Sequence, residues 1–79
     1  MTTSNSVLIT IDKFIKDQGY SPTVREIGVG SNLKSSSTIQ KEMCRLTEGG
    51  FINYIPYKPR TITITEKGRN LLEKLNRRR

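Results

Sequence analysis

Histidine and tryptophan are missing from these 79 residues, and cysteine occurs once. Without histidine the chain has no side chain that titrates unaided near neutral pH, and no imidazole for a metal. The rest shows no metal-ligand cluster, no glycine loop to cradle a phosphate and no activated-nucleophile pattern, so the reading is not an enzyme, with no cofactor and no metal. Asp12, Asp17, Glu26, Glu42, Glu48, Glu66 and Glu73 fall at ordinary helical or capping positions. Nothing points to a small-molecule substrate. A lone Cys44 excludes an intramolecular disulfide and makes an intracellular, cytoplasmic chain the simplest expectation. No apolar run approaches the roughly 18 residues of a membrane span. The opening MTTSNSV carries neither the positive segment nor the long apolar stretch of a secretory signal.

What is present is positive charge and periodicity. Lys and Arg number 14 against 7 Asp and Glu, a net charge of +7. A basic small domain suits a polyanion, although positive charge also simply keeps a small protein soluble. Apolar residues make up 33 % of the sequence, lean for a globular domain. A chain of this length buries only about 60 to 65 % of its unfolded surface, so its core is small and a partner chain would help it. The apolar residues nevertheless fall in regular groups, which argues against disorder.

Residues 5–18 place Val7, Leu8, Ile11, Phe14 and Ile15 at helical spacing, with Ser4 or Asn5 as cap and Gly19 as stop. Thr23 and Glu26 form a capping box opening a second helix, which Gly28 and Gly30 are expected to cut short; its inner face would be Val24 and Ile27, with Val29 a further candidate. Asn32 suits the left-handed conformation of a tight corner, and Leu33 would plug that corner from beneath. A third helix opens on Ser35 or Ser36, carries Ile39, Met43 and Leu46 on one face and ends at Gly49-Gly50. FINYI (51–55) and RTITIT (60–65) read as strands, Ile62 and Ile64 sharing a face, with PYKP as a projecting loop between them. A last helix, about 66–78, starts from a Thr65 cap, with Gly68 as a weak point inside it. The order is helix, helix, tight turn, helix, hairpin, helix in a single domain over 1–79. That is a mainly α fold with a small β-hairpin (α+β), the layout of a winged helix-turn-helix.

GYSPTVREIG, LKSSSTIQ, RLTEGGFI and KPRTITIT together resemble the N-terminal DNA-binding domain of the LexA repressor family, especially its Gram-positive members. The resemblance runs over residues 11–65 without gaps. It implies double-stranded DNA as partner and base reading from the first turns of the third helix. Carried over position by position, that implicates Ser35, Ser37, Thr38, Gln40 and Lys41. The residue chemistry agrees: short hydroxyls allow close approach, Gln40 can pair with adenine N6/N7, and Lys41 can reach guanine O6/N7 or a phosphate. The bland alternative is a well-capped surface helix.

LexA proteins continue into a serine-protease-like domain, which nothing in these residues supplies, so self-cleavage is not carried over. Ser31 and Asn32 stand where that family has an apolar residue and a glycine, which predicts a looser or shifted corner. TEKGRNLLEKLNRRR looks instead like the strand-to-helix exit of MarR-type winged helices, whose terminal helix often pairs subunits.

At the wing, Tyr57, Lys58, Pro59 and Arg60 offer a minor-groove Arg and a backbone Lys, or else an ordinary polar turn. Arg25 is placed for a phosphate or for an ion pair with a neighbouring acid. Arg77-Arg78-Arg79 reads as a solvated tail, Lys13 and Lys16 as a solvated face, and Cys44 as a partly buried small hydrophobe. Leu71, Leu72 and Leu75 either pack on the chain's own core or form a homodimer contact.

The function expected is a sequence-specific regulator of transcription, most simply a homodimeric repressor that occupies its operator, in bacterial cytoplasm or encoded by a phage or plasmid. Two rivals stay open. One is a nonspecific or A·T-preferring architectural protein; the other is an interaction module that modulates a host regulator or polymerase.

Overall fold

A computed structural model describes residues 3–31, 33, 35–55 and 58–77. Four helices and one short antiparallel pair follow in the order α1 (Thr3–Gln18), α2 (Val24–Ser31), α3 (Ser36–Glu48), β1 (Ile52–Asn53), β2 (Thr63–Ile64) and α4 (Glu66–Arg77). Helices α1, α2 and α3 pack on one another, while α4 packs on α1 and β2. Their shared core is Val7, Leu8, Ile11, Ile27, Ile39, Met43, Leu46, Ile52, Ile62 and Leu72. This is the winged helix-turn-helix arrangement the sequence order predicts.

Helix α1 starts at Thr3, so the expected caps Ser4 and Asn5 lie inside it. The Ser4 hydroxyl instead reaches across to donate to the buried carboxylate of Glu42 on α3. At the other end Gly19 takes φ 82 and its N–H closes on the Ile15 carbonyl at 2.8 Å, the left-handed stop predicted for it.

The capping box of α2 is formed. The Thr23 N–H donates to the Glu26 carboxylate at 2.9 Å, and the Glu26 N–H donates to the Thr23 hydroxyl at 3.3 Å. Helix α2 is short, as expected, at eight residues, yet it runs through both glycines to Ser31. Packing outweighs propensity here: a Cβ on Gly28 would lie 2.9 Å from Ile39 Cδ1 and 3.2 Å from the Leu33 carbonyl oxygen, so the glycine lets α2 lie close against α3. Ile27 is fully buried beside it, whereas Val29, a candidate for the inner face, is 81 % exposed because it points to the opposite side of the helix. At the corner the Leu33 N–H bonds to the Gly28 carbonyl at 3.1 Å and its side chain packs on the core, as expected for a plug. Asn32, expected in the left-handed turn, lies outside the described residues.

Ser35 is the N-cap of α3, with extended φ −104 and ψ 123, and its side chain makes no capping hydrogen bond. Inward positions Ile39, Met43 and Leu46 are nearly fully buried, as their spacing predicts. The helix ends in a Schellman closure. The Phe51 N–H reaches the Leu46 carbonyl at 2.9 Å and the Gly50 N–H reaches that of Thr47 at 3.0 Å, with Gly50 at φ 80.

The strands are far shorter than FINYI and RTITIT predict. Ile52 pairs with Ile64 and Asn53 with Thr63, and there the ladder stops. Side chains take over the backbone groups that would extend it: the Ile55 N–H donates to the Thr61 hydroxyl at 2.9 Å, and the Ile62 N–H to the Ser21 hydroxyl at 3.0 Å. The connection between β1 and β2 is the wing; its Pro56 and Tyr57 lie outside the described residues.

Thr65 caps α4 as predicted, accepting from the Gly68 N–H at 3.1 Å. The suspected weak point, Gly68, is where α4 touches the body. A Cβ there would sit 2.2 Å from the Phe51 carbonyl oxygen, so no side chain fits. The helix ends at Arg77; Arg78 and Arg79 are outside the described residues.

Candidate nucleic-acid interface

Burying Ile39, Glu42, Met43 and Leu46 turns the opposite side of α3 outward. Ser37, Gln40, Lys41, Cys44, Arg45 and Glu48 are all exposed and fall in two rows stepped by three and four residues, 37-40-44-48 and 37-41-45-48, so they form one stripe along the helix. A shallow depression of about 630 Å³ runs along these six residues. Beside it lies a larger open groove of about 860 Å³, walled by α3, the first turn of α2 and the wing. Gln40 and Cys44 line both, so the stripe and the groove are continuous.

The residues expected to contact DNA are brought largely to this surface. Gln40 and Lys41 are exposed on the stripe, with Ser37 one turn earlier and Ser35 exposed at the cap. The Ser35 side chain makes no capping bond to the helix. Thr38 is half-buried. Arg25 is exposed, lines the groove from α2 and forms no ion pair among the described residues, so the expected alternative of a neighbouring acid is not met there. Lys58 is exposed on the wing side of the same groove.

Arg60 also borders the groove, but its guanidinium turns back onto the body. Nη1 lies 3.0 Å from Glu26 Oε1 and donates to the Ser21 carbonyl at 3.1 Å, and the guanidinium carbon stands 4.6 Å from the centre of the Tyr20 ring. Tyr20 in turn meets Phe14 edge-on at 5.7 Å. The Thr23 N–H, donating to the Glu26 carboxylate, holds that carboxyl below its ordinary range. Desolvation opposes the shift, and the Thr23 hydroxyl and Arg60 reinforce it.

Of the three leucines expected at a subunit contact, Leu72 is buried in the chain's own core and Leu71 is partly buried against it; Leu75 is half-buried. The exposed Lys16 ammonium pairs at 3.0 Å with the buried Asp12 one turn back, while Lys13 is exposed.

Three features were missed in the sequence. Cys44, expected partly inside, is exposed, because Met43 holds the inward position next to it. Arg45 shares the outward stripe and was passed over. Both sit four residues beyond Lys41 or Gln40, a spacing that could have found them; the usual burial of cysteine pulled the other way. Thr61 organises the wing, accepting from the Ile55 N–H while its hydroxyl lies 3.0 Å from the Lys58 carbonyl. No signal in the sequence separates it from its neighbouring threonines.

Among the described residues no helix is long and apolar enough to cross a membrane, and no group of three or more His, Cys, Asp or Glu side chains is placed to hold a metal.

The sequence is similar to known proteins over most of its length. The LexA DNA binding domain family model matches residues 2–61. The LexA repressor of Limosilactobacillus reuteri (strain DSM 20016) is 46 % identical over 67 residues, which are 85 % of this chain and 32 % of that protein. That of Oenococcus oeni is 50 % identical over 52 residues, 66 % of this chain and 24 % of the relative. That of Caldicellulosiruptor saccharolyticus is 45 % identical over 60 residues, 76 % of this chain and 30 % of the relative. The chain thus spans about a third or less of the length of these curated relatives. A helix-turn-helix with a short wing, and a family match across most of its length, lead to one assignment: the chain belongs to the LexA DNA-binding domain family.

Proposed function

We propose that this domain binds double-stranded DNA sequence-specifically and represses transcription by occupying its operator. The observation that carries the reading is the outward stripe of α3, polar from Ser37 to Glu48 and continuous with a groove that bears Arg25 and Lys58. An α-helix fits the major groove, and Gln40, Lys41 and Arg45 carry the side chains that read adenine and guanine edges there. Ser35, Ser37 and Thr38 at the helix start reach phosphates or bases at short range. Lys58 and Arg25 neutralise backbone phosphates on either side, and such contacts provide much of the affinity. The relatives named as repressors support the sign of the regulation.

A homodimer on two half-sites suits a domain with so small a core. Leu71 and Leu75 are the apolar residues of α4 left for such a contact, since Leu72 already lies inside.

The test is selection from random double-stranded DNA at near-physiological salt. The expected result is an enriched motif, as an inverted repeat with half-sites about one helical turn apart if the domain pairs. A pool bound without enrichment, with steep salt dependence, would instead establish an architectural protein, and no binding at all would leave a protein-interaction module.

A further inference from the structure

Arg60 takes φ 60, the one positive value at a non-glycine position among the described residues. A residue with a Cβ persists in that conformation only where its surroundings hold it there. Arg60 is held on three sides, by the Glu26 carboxylate, the Ser21 carbonyl and the face of Tyr20. Two residues on, the Ile62 N–H donates to the Ser21 hydroxyl at 3.0 Å, so Ser21 grips the returning arm of the wing twice. Residues 20–26 therefore fasten the wing at both Arg60 and Ile62. The same segment leads into α2, which lies against α3 through Gly28 and Ile39.

The wing needs this fastening. Its strands pair over two residues each, and such a ladder alone does not fix the angle of a nine-residue connection. To reach a phosphate or a minor groove, Arg60 would have to leave its carboxylate, its carbonyl and its ring together. Lys58 has no ion-pair partner among the described residues and is exposed on the groove.

We propose that Arg60 is a positioning residue rather than a DNA contact: clasped by Glu26, Ser21 and Tyr20, it sets the angle of the wing to α3, so that Lys58 is the wing's cation for the DNA backbone. This rests on the DNA-binding reading above, and the test separates the two.

Glu26→Gln removes the charge partner but keeps an oxygen for the Thr23 N–H, so the capping box survives. Arg60→Gln removes the clasp from the other side. In the free protein, amide hydrogen exchange at Ile62 reports the clasp without DNA; both substitutions are expected to speed it, with thermal melts confirming the fold. On the selected operator, each is expected to weaken binding by about two- to fivefold, the scale of one partly exposed ion pair. The double variant should be no weaker than the weaker single, and the salt dependence should stay as in the wild type. The opposite pattern overturns the proposal: Arg60→Gln lowering the salt slope by about one phosphate contact, while Glu26→Gln, by releasing Arg60, leaves binding unchanged or tighter. Unchanged Ile62 exchange in both variants also overturns it, whatever the DNA shows. A wild-type protein that selects no motif refutes the sequence-specific reading alone, because the exchange result still judges the clasp.

Discussion

Helix α3 and the wing face one groove, but different forces hold them there. Helix α3 rests on Ile39, Met43 and Leu46, each no more than 3 % exposed, and on Gly28, which lets α2 approach within contact distance. Among the described residues the wing has no such footing beyond Ile62 and Tyr54; it is held by the Thr61 hydroxyl, the Ser21 hydroxyl and the Arg60 clasp. Apolar burial is non-directional and little affected by salt or acid, whereas partly exposed polar contacts are weak individually and depend on charge state. A helix fixed by its core and a wing fixed by polar contacts can therefore be perturbed separately.

The largest separation should appear in stability. Met43→Ala removes a fully buried side chain beneath the centre of α3 and is expected to cost about 2 to 5 kcal/mol, out of a total stability of roughly 4 to 12 kcal/mol for a domain of this size. Arg60→Gln breaks contacts on a half-exposed side chain and is expected to cost less than about 1 kcal/mol. Urea unfolding of both variants checks this. Equal losses would mean that the wing clasp is as much a part of the core as Met43, and the contrast would fail.

Binding sharpens the comparison next. Cys44 lines both the α3 depression and the adjoining groove and is exposed, so a bulky maleimide should couple to it without unfolding the domain. The adduct would hold α3 out of the major groove. Operator binding should fall by roughly tenfold or more, the scale of losing one good base contact, and saturating operator should slow the coupling. Full binding by the adduct would move the reading surface off this face of α3.

Most of the fold was legible in the sequence, and what was legible had local physics. Gly19, the Thr23–Glu26 box, the Gly49-Gly50 stop and the Thr65 cap act within a few residues of themselves, and the structure has each in place. The inward face of α3 followed from spacing alone. What was not legible depends on partners outside the element itself. Helix α2 survives its glycines because Ile39 and Leu33 come to meet Gly28. The strands stop early because hydroxyls at Ser21 and Thr61 take the N–H groups of Ile62 and Ile55. Of the candidate interface, pattern and resemblance point to the stretch from Ser35 to Lys41, and the structure has Ser35, Ser37, Gln40 and Lys41 exposed; the exposure of Cys44 runs against where cysteine usually sits, and Arg45 follows one helical turn after Lys41. The clasp was invisible, since nothing local ties Arg60 to a carboxylate 34 residues earlier.

Acid is the mildest way to pull the two regions apart. Among the described residues Glu26 is the one carboxylate whose charge enters the wing's footing, with the Thr23 N–H, the Thr23 hydroxyl and Arg60 facing it. Those donors hold its pKa in the folded state below the ordinary 4.5. A depressed carboxyl contributes stability that is fully present above the unfolded value and is lost as pH falls through the folded one. The difference in unfolding free energy between wild type and Glu26→Gln should therefore be flat from neutral pH to about pH 5 and shrink below the unfolded value. Ile39, Met43 and Leu46 carry no titrating group, so the Met43→Ala difference should hold steady over the same range. Urea unfolding across this pH series measures both. If the Glu26→Gln difference stayed level well below the unfolded carboxyl range, the ionised carboxylate would not be what fastens the wing, and its neutral hydrogen bonds to Thr23 and Arg60 would have to suffice.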